Sequence, residues 1–237
     1  MAQVPEIELK DILLSNSSFG PNEITFILTK VCNDYSQFPN LKEVTGVLES
    51  QLERTPAASV RLGVCQYMIG NYETAIATLE NADGGALAYF YQGKSQFALH
   101  NWDKAVECYE SAQRSGYNGD LCQIAIAETK RLSKDLSGAM TILDNMFGPI
   151  EQTAEYLYQR GATIAAMSDN PDEVCKLYER AVELEDSHPG ALFGLALEND
   201  RRGNDERAIE LYQRAAASFP TNVGALLNLG LIYEDHD

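Results

Sequence analysis

Pro189-Gly190-Ala191-Leu192 opens a stretch that continues through Leu195-Ala196, Gly203-Asn204-Asp205, Ala208, Tyr212, Ala215 and Pro220 to Leu226, Leu229-Gly230 and Tyr233, and its reading decides the fold. Leu192 to Leu226, Leu195 to Leu229 and Ala196 to Gly230 are each a step of 34 residues. A fixed period of this size, with small residues where two helices must touch, is the signature of a stacked helix–turn–helix array. Each unit of such an array buries its apolar face only against its neighbours, so the architecture repeats along the chain.

Upstream the same register recurs. Residues 155–188 supply Tyr158, Ala162, Asn170-Pro171, Val174, Tyr178 and Ala181. Residues 120–154 are weaker, with Ile126-Ala127, Ala139, Leu143 and Met146, and residues 86–119 give Tyr89, Gly93, Asn101-Trp102, Ala105, Tyr109 and Ala112. Residues 56–85 give Leu62-Gly63, Gly70-Asn71-Tyr72, Ala75, Leu79 and Ala82, and run short because Asp83-Gly84-Gly85 ends the second helix early. After the repeat at 189–222 comes a half repeat, 223–237, with a first helix only. Residues 1–55 lack the small-residue pattern and read as an N-terminal helical cap, in the manner of a diverged repeat. In this cap Pro5–Leu14 is a short helix and Asn22 caps a helix bearing Ile24, Ile27, Leu28, Val31, Cys32 and Tyr35. A third cap helix, after Phe38-Pro39, carries Leu41, Val44, Leu48 and Leu52 on one stripe.

Over roughly residues 56–237 this pattern resembles the tetratricopeptide repeat family. The fold class implied is all-α, a right-handed superhelical solenoid of antiparallel helix pairs. Helices A and B of one repeat cross closely, so Gly63, Gly93, Ala162, Ala196 and Gly230 must be small, with Ala75, Ala105, Ala139 and Ala208 opposite them. Tyr109, Tyr178 and Tyr212 then fill the space between successive repeats. Ser59 and Gln123 depart from the pattern, standing where a large apolar residue is usual.

The chain has 35 acidic and 18 basic residues, a net charge of −17. A field of that sign repels phosphate backbones and anionic membrane surfaces, which argues against nucleic acid and membrane as partners. Cys32, Cys65, Cys108, Cys122 and Cys175 are scattered without a Cys-x-x-Cys pair, so buried free thiols fit better than a disulfide framework or a zinc cluster. That suits a reducing cytoplasm, and Met1 to Lys10 has no signal-peptide pattern. Asn16-Ser17-Ser18 matches a glycosylation acceptor by chance in that setting.

Chemistry is hard to find in the sequence. His100, His188 and His236 fall at predicted turns of different repeats and read as solvated loop histidines; no phosphate-cradling glycine loop and no nucleophile elbow is present. Carboxylate pairs such as Glu107/Glu110 and Glu179/Glu183 read as wet helix faces. The expectation is therefore a protein that is not an enzyme and takes no cofactor or metal.

Binding is what remains. The resemblance implies that the A helices line a concave surface, and it turns Arg61, Tyr67, Phe90, Tyr91, Lys94, Phe97, Arg131, Tyr156, Arg160, Phe193 and Arg201 toward that groove. Basic heads beside aromatic rings suit an extended, acidic peptide; alternatively, the arginines pair with acids along their own helices. The lysine-and-asparagine clamp that some family members close on a C-terminal carboxylate is not reproduced, since Val60 and Val64 hold its first two positions. Trp102 sits in the A–B turn, where packing and an exposed anchor are both open.

The functional expectation is a protein–protein interaction scaffold. A second one comes from Leu195 to Arg202, where the chain resembles bacterial repeat proteins whose array precedes a domain like the C-terminal domain of the RNA polymerase α subunit. On that reading the chain is part of a transcription-related regulator. Leu227, Leu231 and Ile232 make the last helix apolar on more than one side, so the natural chain is expected to continue, and the bare face of this helix to be hidden by self-association or fraying.

Overall fold

Proline sets the start of helix after helix, because its fixed φ suits the first helical position and the N–H it lacks would have no partner there. The structure, a computed structural model, describes residues 9–15, 19–34, 36–82, 85–167, 170–217 and 223–236. The readings on Pro5, Asn16-Ser17-Ser18, Tyr35, Asp83-Gly84 and Pro220 lie outside the described residues, as do the side chains of Cys32 and His236. In the described residues every regular element is a helix, and the chain divides into two compact units, Met1–Cys122 and Gln123–Asp237.

The N-terminal unit contains α1 (Leu9–Leu13), α2 (Pro21–Asn33), α3 (Gln37–Ser50), α4 (Pro56–Met68), α5 (Tyr72–Glu80), α6 (Ala86–Ala98) and α7 (Trp102–Arg114); it ends inside α8 (Gly119–Leu132). Gly20, not Asn22, stands at the cap of α2, with Pro21 at the first helical position and the Glu23 carboxylate accepting from the Gly20 N–H at 2.8 Å. Leu9, Leu13, Ile27, Val31, Leu41, Val44 and Leu48 form one core with Leu62 and Cys65, which joins the cap helices to the first repeat. Leu52, expected on the stripe of α3, lies past the end of that helix and is 100% exposed.

Two A–B crossings of this unit follow the expected small residues, whereas at Gly230, in the half repeat, an added Cβ would meet nothing within 4 Å. A Cβ on Gly63 would sit 2.4 Å from Leu79 Cγ, and one on Gly93 would sit 2.6 Å from the Tyr109 ring. Between A and B helices the chain turns through a left-handed corner, held by Gly70 (φ 86°) and Gly203 (φ 72°) but by His100 (φ 60°) and Lys134 (φ 74°) in other repeats. A non-glycine residue there costs about 1–2 kcal/mol, so the turn geometry is imposed by the packing of the helices on either side.

The C-terminal unit continues with α9 (Leu136–Asp144), a short 3-10 helix (Pro149–Gln152), α10 (Ala154–Met167), α11 (Pro171–Leu184), α12 (Pro189–Arg201), α13 (Asp205–Ala217) and α14 (Val223–His236). The weak repeat at 120–154 owes its poor register to a short α9 followed by the 3-10 turn, whose Ile150 joins Ile124, Leu143, Met146 and Tyr156 in a local core. In the next repeat the tight crossing is at Gly161, one residue before the expected Ala162; a Cβ there would meet the Tyr178 ring at 2.9 Å. Gly194 of the following repeat touches the other edge of the same ring, at 2.5 Å from its own would-be Cβ. Tyr178 is thus clamped between two A helices.

α14 packs on α13 through Ala225, Leu229 and Ile232. Ile232 is therefore buried, against expectation, whereas Leu226, Leu227, Leu231 and Tyr233 remain exposed. Cys65, Cys122 and Cys175 are buried thiols; Cys108 is half-exposed, and burial still pushes its pKa up to about 11.

Candidate functional site

On α6, Phe90, Lys94 and Phe97 recur at steps of four and three, and Tyr91 lies three before Lys94, so these side chains share one side of the helix. The neighbouring A helix, α4, brings Tyr67 to the same place: its ring lies 5.3 Å from Tyr91, edge to face. Tyr117, from the segment after α7, stacks on Phe90 at 4.2 Å and 17°. The Lys94 ammonium rests over two of these rings, 5.9 Å from Tyr67 and 5.7 Å from Phe90. Burial pushes the phenol pKa values of Tyr91 and Tyr117 upward, and for Tyr91 the neighbouring Tyr117 and Tyr67 add to the effect. These phenols stay protonated and can donate hydrogen bonds at any physiological pH.

Two expected members stand apart from this cluster. Phe97 turns to the A–B corner, where its ring meets Trp102 at 5.5 Å and His100 also meets Trp102, at 4.9 Å. Trp102 is therefore used in packing. Arg61 is buried: its guanidinium donates to the backbone oxygens of Leu13 and Ser15 and stacks over Phe19 at 5.3 Å, tying α1 to α4.

In the C-terminal unit the expected arginines meet oxygens of their own unit. Arg131 donates to Gln159 Oε1 at 3.1 Å, with Glu128 at 4.0 Å. Arg160 donates to Asp144 at 2.7 Å; burial opposes its charge, but this bond and Tyr156 outweigh it and raise its pKa. Arg201 pairs with Glu198 at 2.7 Å. Tyr156 is buried, its hydroxyl donating to the Leu143 carbonyl at 3.2 Å, and Phe193 packs against Tyr212 at 5.9 Å.

The bond from Arg131 belongs to a longer polar chain that sequence reasoning missed. Gln159 Nε2 donates to Glu155 Oε1 at 2.9 Å, and Glu155 Oε2 lies 3.0 Å from His188 Nε2. His188 Nδ1 accepts from the Ala191 N–H at 3.1 Å, so Nε2 carries the ring proton and donates it to Glu155. His188 is thus a buried cap of α12 instead of a solvated loop residue. A histidine preceding Pro189 could have been read as a cap, because a ring nitrogen can accept a first-turn N–H. Tyr117 had no such signal, standing outside the repeat positions that periodicity marks.

Among the described residues no group of three or more His, Cys, Asp or Glu side chains could hold a metal ion, and no helix is long and apolar enough to cross a membrane. An open hollow of about 990 Å³ beside the α12–α13 turn is lined by Asn199, Asn204, Asp205, Ile209 and Tyr233, and contains none of the expected binding residues.

Sequence profiles described as tetratricopeptide repeat match residues 176–223 and 201–236, and a second profile of that description matches 57–82 and 87–115. The chain belongs to the tetratricopeptide repeat family. As a tetratricopeptide repeat protein it is similar in fold to TTC0263 of Thermus thermophilus, with a TM-score of 0.61 at 20% identity over 76% of this chain and 100% of that one. It is also similar in fold to a chain of the Cut9–Hcn1 hetero-tetramer of the APC/C, with a TM-score of 0.70 at 11% identity over 92% of this chain and 43% of that one. Among relatives by sequence, the photosystem I assembly protein Ycf3 of Prochlorococcus marinus (strain NATL2A) is 34% identical over 82 residues, 33% of this chain. The match spans 47% of that relative, about half its length. The protein of the same name from Synechococcus sp. (strain CC9605) is also 34% identical over 82 residues.

Proposed function

We propose that this tetratricopeptide repeat protein is a non-catalytic scaffold that holds a partner protein or peptide on the concave, A-helix side of its repeats, in the service of assembling a larger complex. The repeat fold supports the scaffold role. One observation carries the choice of surface: Tyr67, Lys94 and Phe97 remain half-exposed on α4 and α6, whereas the B helix α7 turns Asp103, Glu107 and Glu110 to solvent. Aromatic rings beside a cation offer contact area and direction; a wet acidic face offers neither. The assembly role draws on the partial likeness to Ycf3 proteins, which are named for photosystem I assembly.

A photo-crosslinking amino acid placed in turn at Tyr67, Phe97 and Glu107 tests this reading. Adducts with one defined protein from the first two positions and none from Glu107 are expected. Adducts from Glu107 alone would overturn it. A second contact surface is proposed on α14, where Leu226, Leu227, Leu231 and Tyr233 are exposed together. Pairing of two copies there predicts a concentration-dependent mass in sedimentation that Leu227→Glu removes; a constant monomer mass would refute that pairing.

A further inference from the structure

Lys94 differs from the other basic residues assigned to the binding face. Arg131, Arg160 and Arg201 each have a carboxylate within 4.0 Å, and Arg61 is held by backbone oxygens. Lys94 is half-buried, and among the described residues no carboxylate forms an ion pair with it. In a chain with 35 acids against 18 bases, a half-buried ammonium that pairs with no carboxylate of the described residues needs a reason. The two ring faces under it attract the cation by about 0.5–1 kcal/mol, but they supply no oxygen to receive its three N–H donors.

The surroundings add neutral hydroxyl groups and no paired carboxylate among the described residues. The hydroxyls of Tyr67, Tyr91 and Tyr117 make no hydrogen bond with the described residues, and all three rings lie in the same aromatic cluster as Lys94. The cluster therefore combines an ammonium, phenol donors and apolar ring surface, and the missing complement is an anion with oxygen acceptors attached to something apolar.

We propose that the Lys94 cluster on α4 and α6 binds a single carboxylate side chain, Asp or Glu, of an extended partner segment whose neighbouring apolar residue lies on the Tyr67 ring. The proposal rests on reading the A-helix side as the partner surface and names the ligand chemistry of one part of it. The net charge of −17 narrows the choice further: it repels polyanionic tracts and doubly charged phosphate groups, so one carboxylate carried by apolar residues fits best.

The test is an NMR titration of the full chain with the capped peptide acetyl-Leu-Glu-Phe-Leu-amide, and separately with its Gln and phosphoserine counterparts. Saturable shifts on α4 and α6 are expected for the Glu peptide, with affinity at least about tenfold weaker for the Gln peptide. Lys94→Met should abolish the difference between Glu and Gln while leaving the melting curve in place, and Lys94→Arg should keep it. Equal binding of Glu and Gln peptides, tighter binding of the phosphoserine peptide, or no binding of the Glu peptide would each overturn the proposal. A crosslinked partner that persists unchanged in Lys94→Met would also sink it, while leaving the scaffold reading intact.

Discussion

The arginines on the A helices of the C-terminal unit and Lys94 on an A helix of the N-terminal unit are used in opposite ways. In the C-terminal unit Arg131, Arg160 and Arg201 reach oxygens on Gln159, Asp144 and Glu198, so their charge is spent on internal hydrogen bonds. In the N-terminal unit Lys94 lies on aromatic rings with no carboxylate paired to it among the described residues. Lying on an A helix therefore does not decide what a charged residue does. What stands across from it decides: Asp144 and Gln159 in one unit, Tyr67 and Phe90 in the other.

Substitutions can break this contrast, and the largest effect belongs to packing inside the C-terminal unit. Tyr178→Ala removes the ring clamped between Gly161 and Gly194 and should cost about 3–5 kcal/mol in urea unfolding. A loss below about 1 kcal/mol would mean that the clamp contributes little. Next comes Gln159→Leu, which leaves Arg131 and Glu155 without their shared amide in a site that is 1% exposed. About 1–3 kcal/mol is expected. Lys94→Met, the matching change in the N-terminal unit, should alter stability by less than about 1 kcal/mol; a larger loss would make Lys94 structural and erase the contrast. Smallest of all, Arg180→Ala removes an exposed pair with Glu183 at 2.9 Å and should shift unfolding by about 0.5 kcal/mol or less.

The repeat architecture was legible in the sequence because a crossing glycine and its partner recur at fixed distances, as Gly63 with Leu79 and Gly93 with Tyr109 do. Where a helix pair changes length the reading slips. Ala162 is one residue late, because α10 begins 17 residues before α11 whereas α12 begins 16 before α13 (154 to 171, 189 to 205). Leu52 shows the same weakness at a boundary: apolar spacing continues beyond the point where α3 stops. The candidate site was legible only in part. Spacing on α6 picked out Phe90, Tyr91, Lys94 and Phe97, since helical geometry alone puts them on one side. It gave no sign of Tyr117, nor of the fate of Arg61, because both depend on contacts with segments distant in sequence: Tyr117 on Phe90, and Arg61 on the Leu13 and Ser15 carbonyls 48 and 46 residues away.

The clamp around Tyr178 also constrains how this stretch can drift over generations. A methyl group added at Gly161 or at Gly194 would press on the same ring from opposite sides, so neither glycine can change alone without displacing a residue the other also holds. A smaller side chain at Tyr178 would vacate both contacts together. The three positions form one inherited character, and tolerated variants should arrive as combinations: Gly161→Ala should be harmful beside tyrosine and mild beside leucine at position 178.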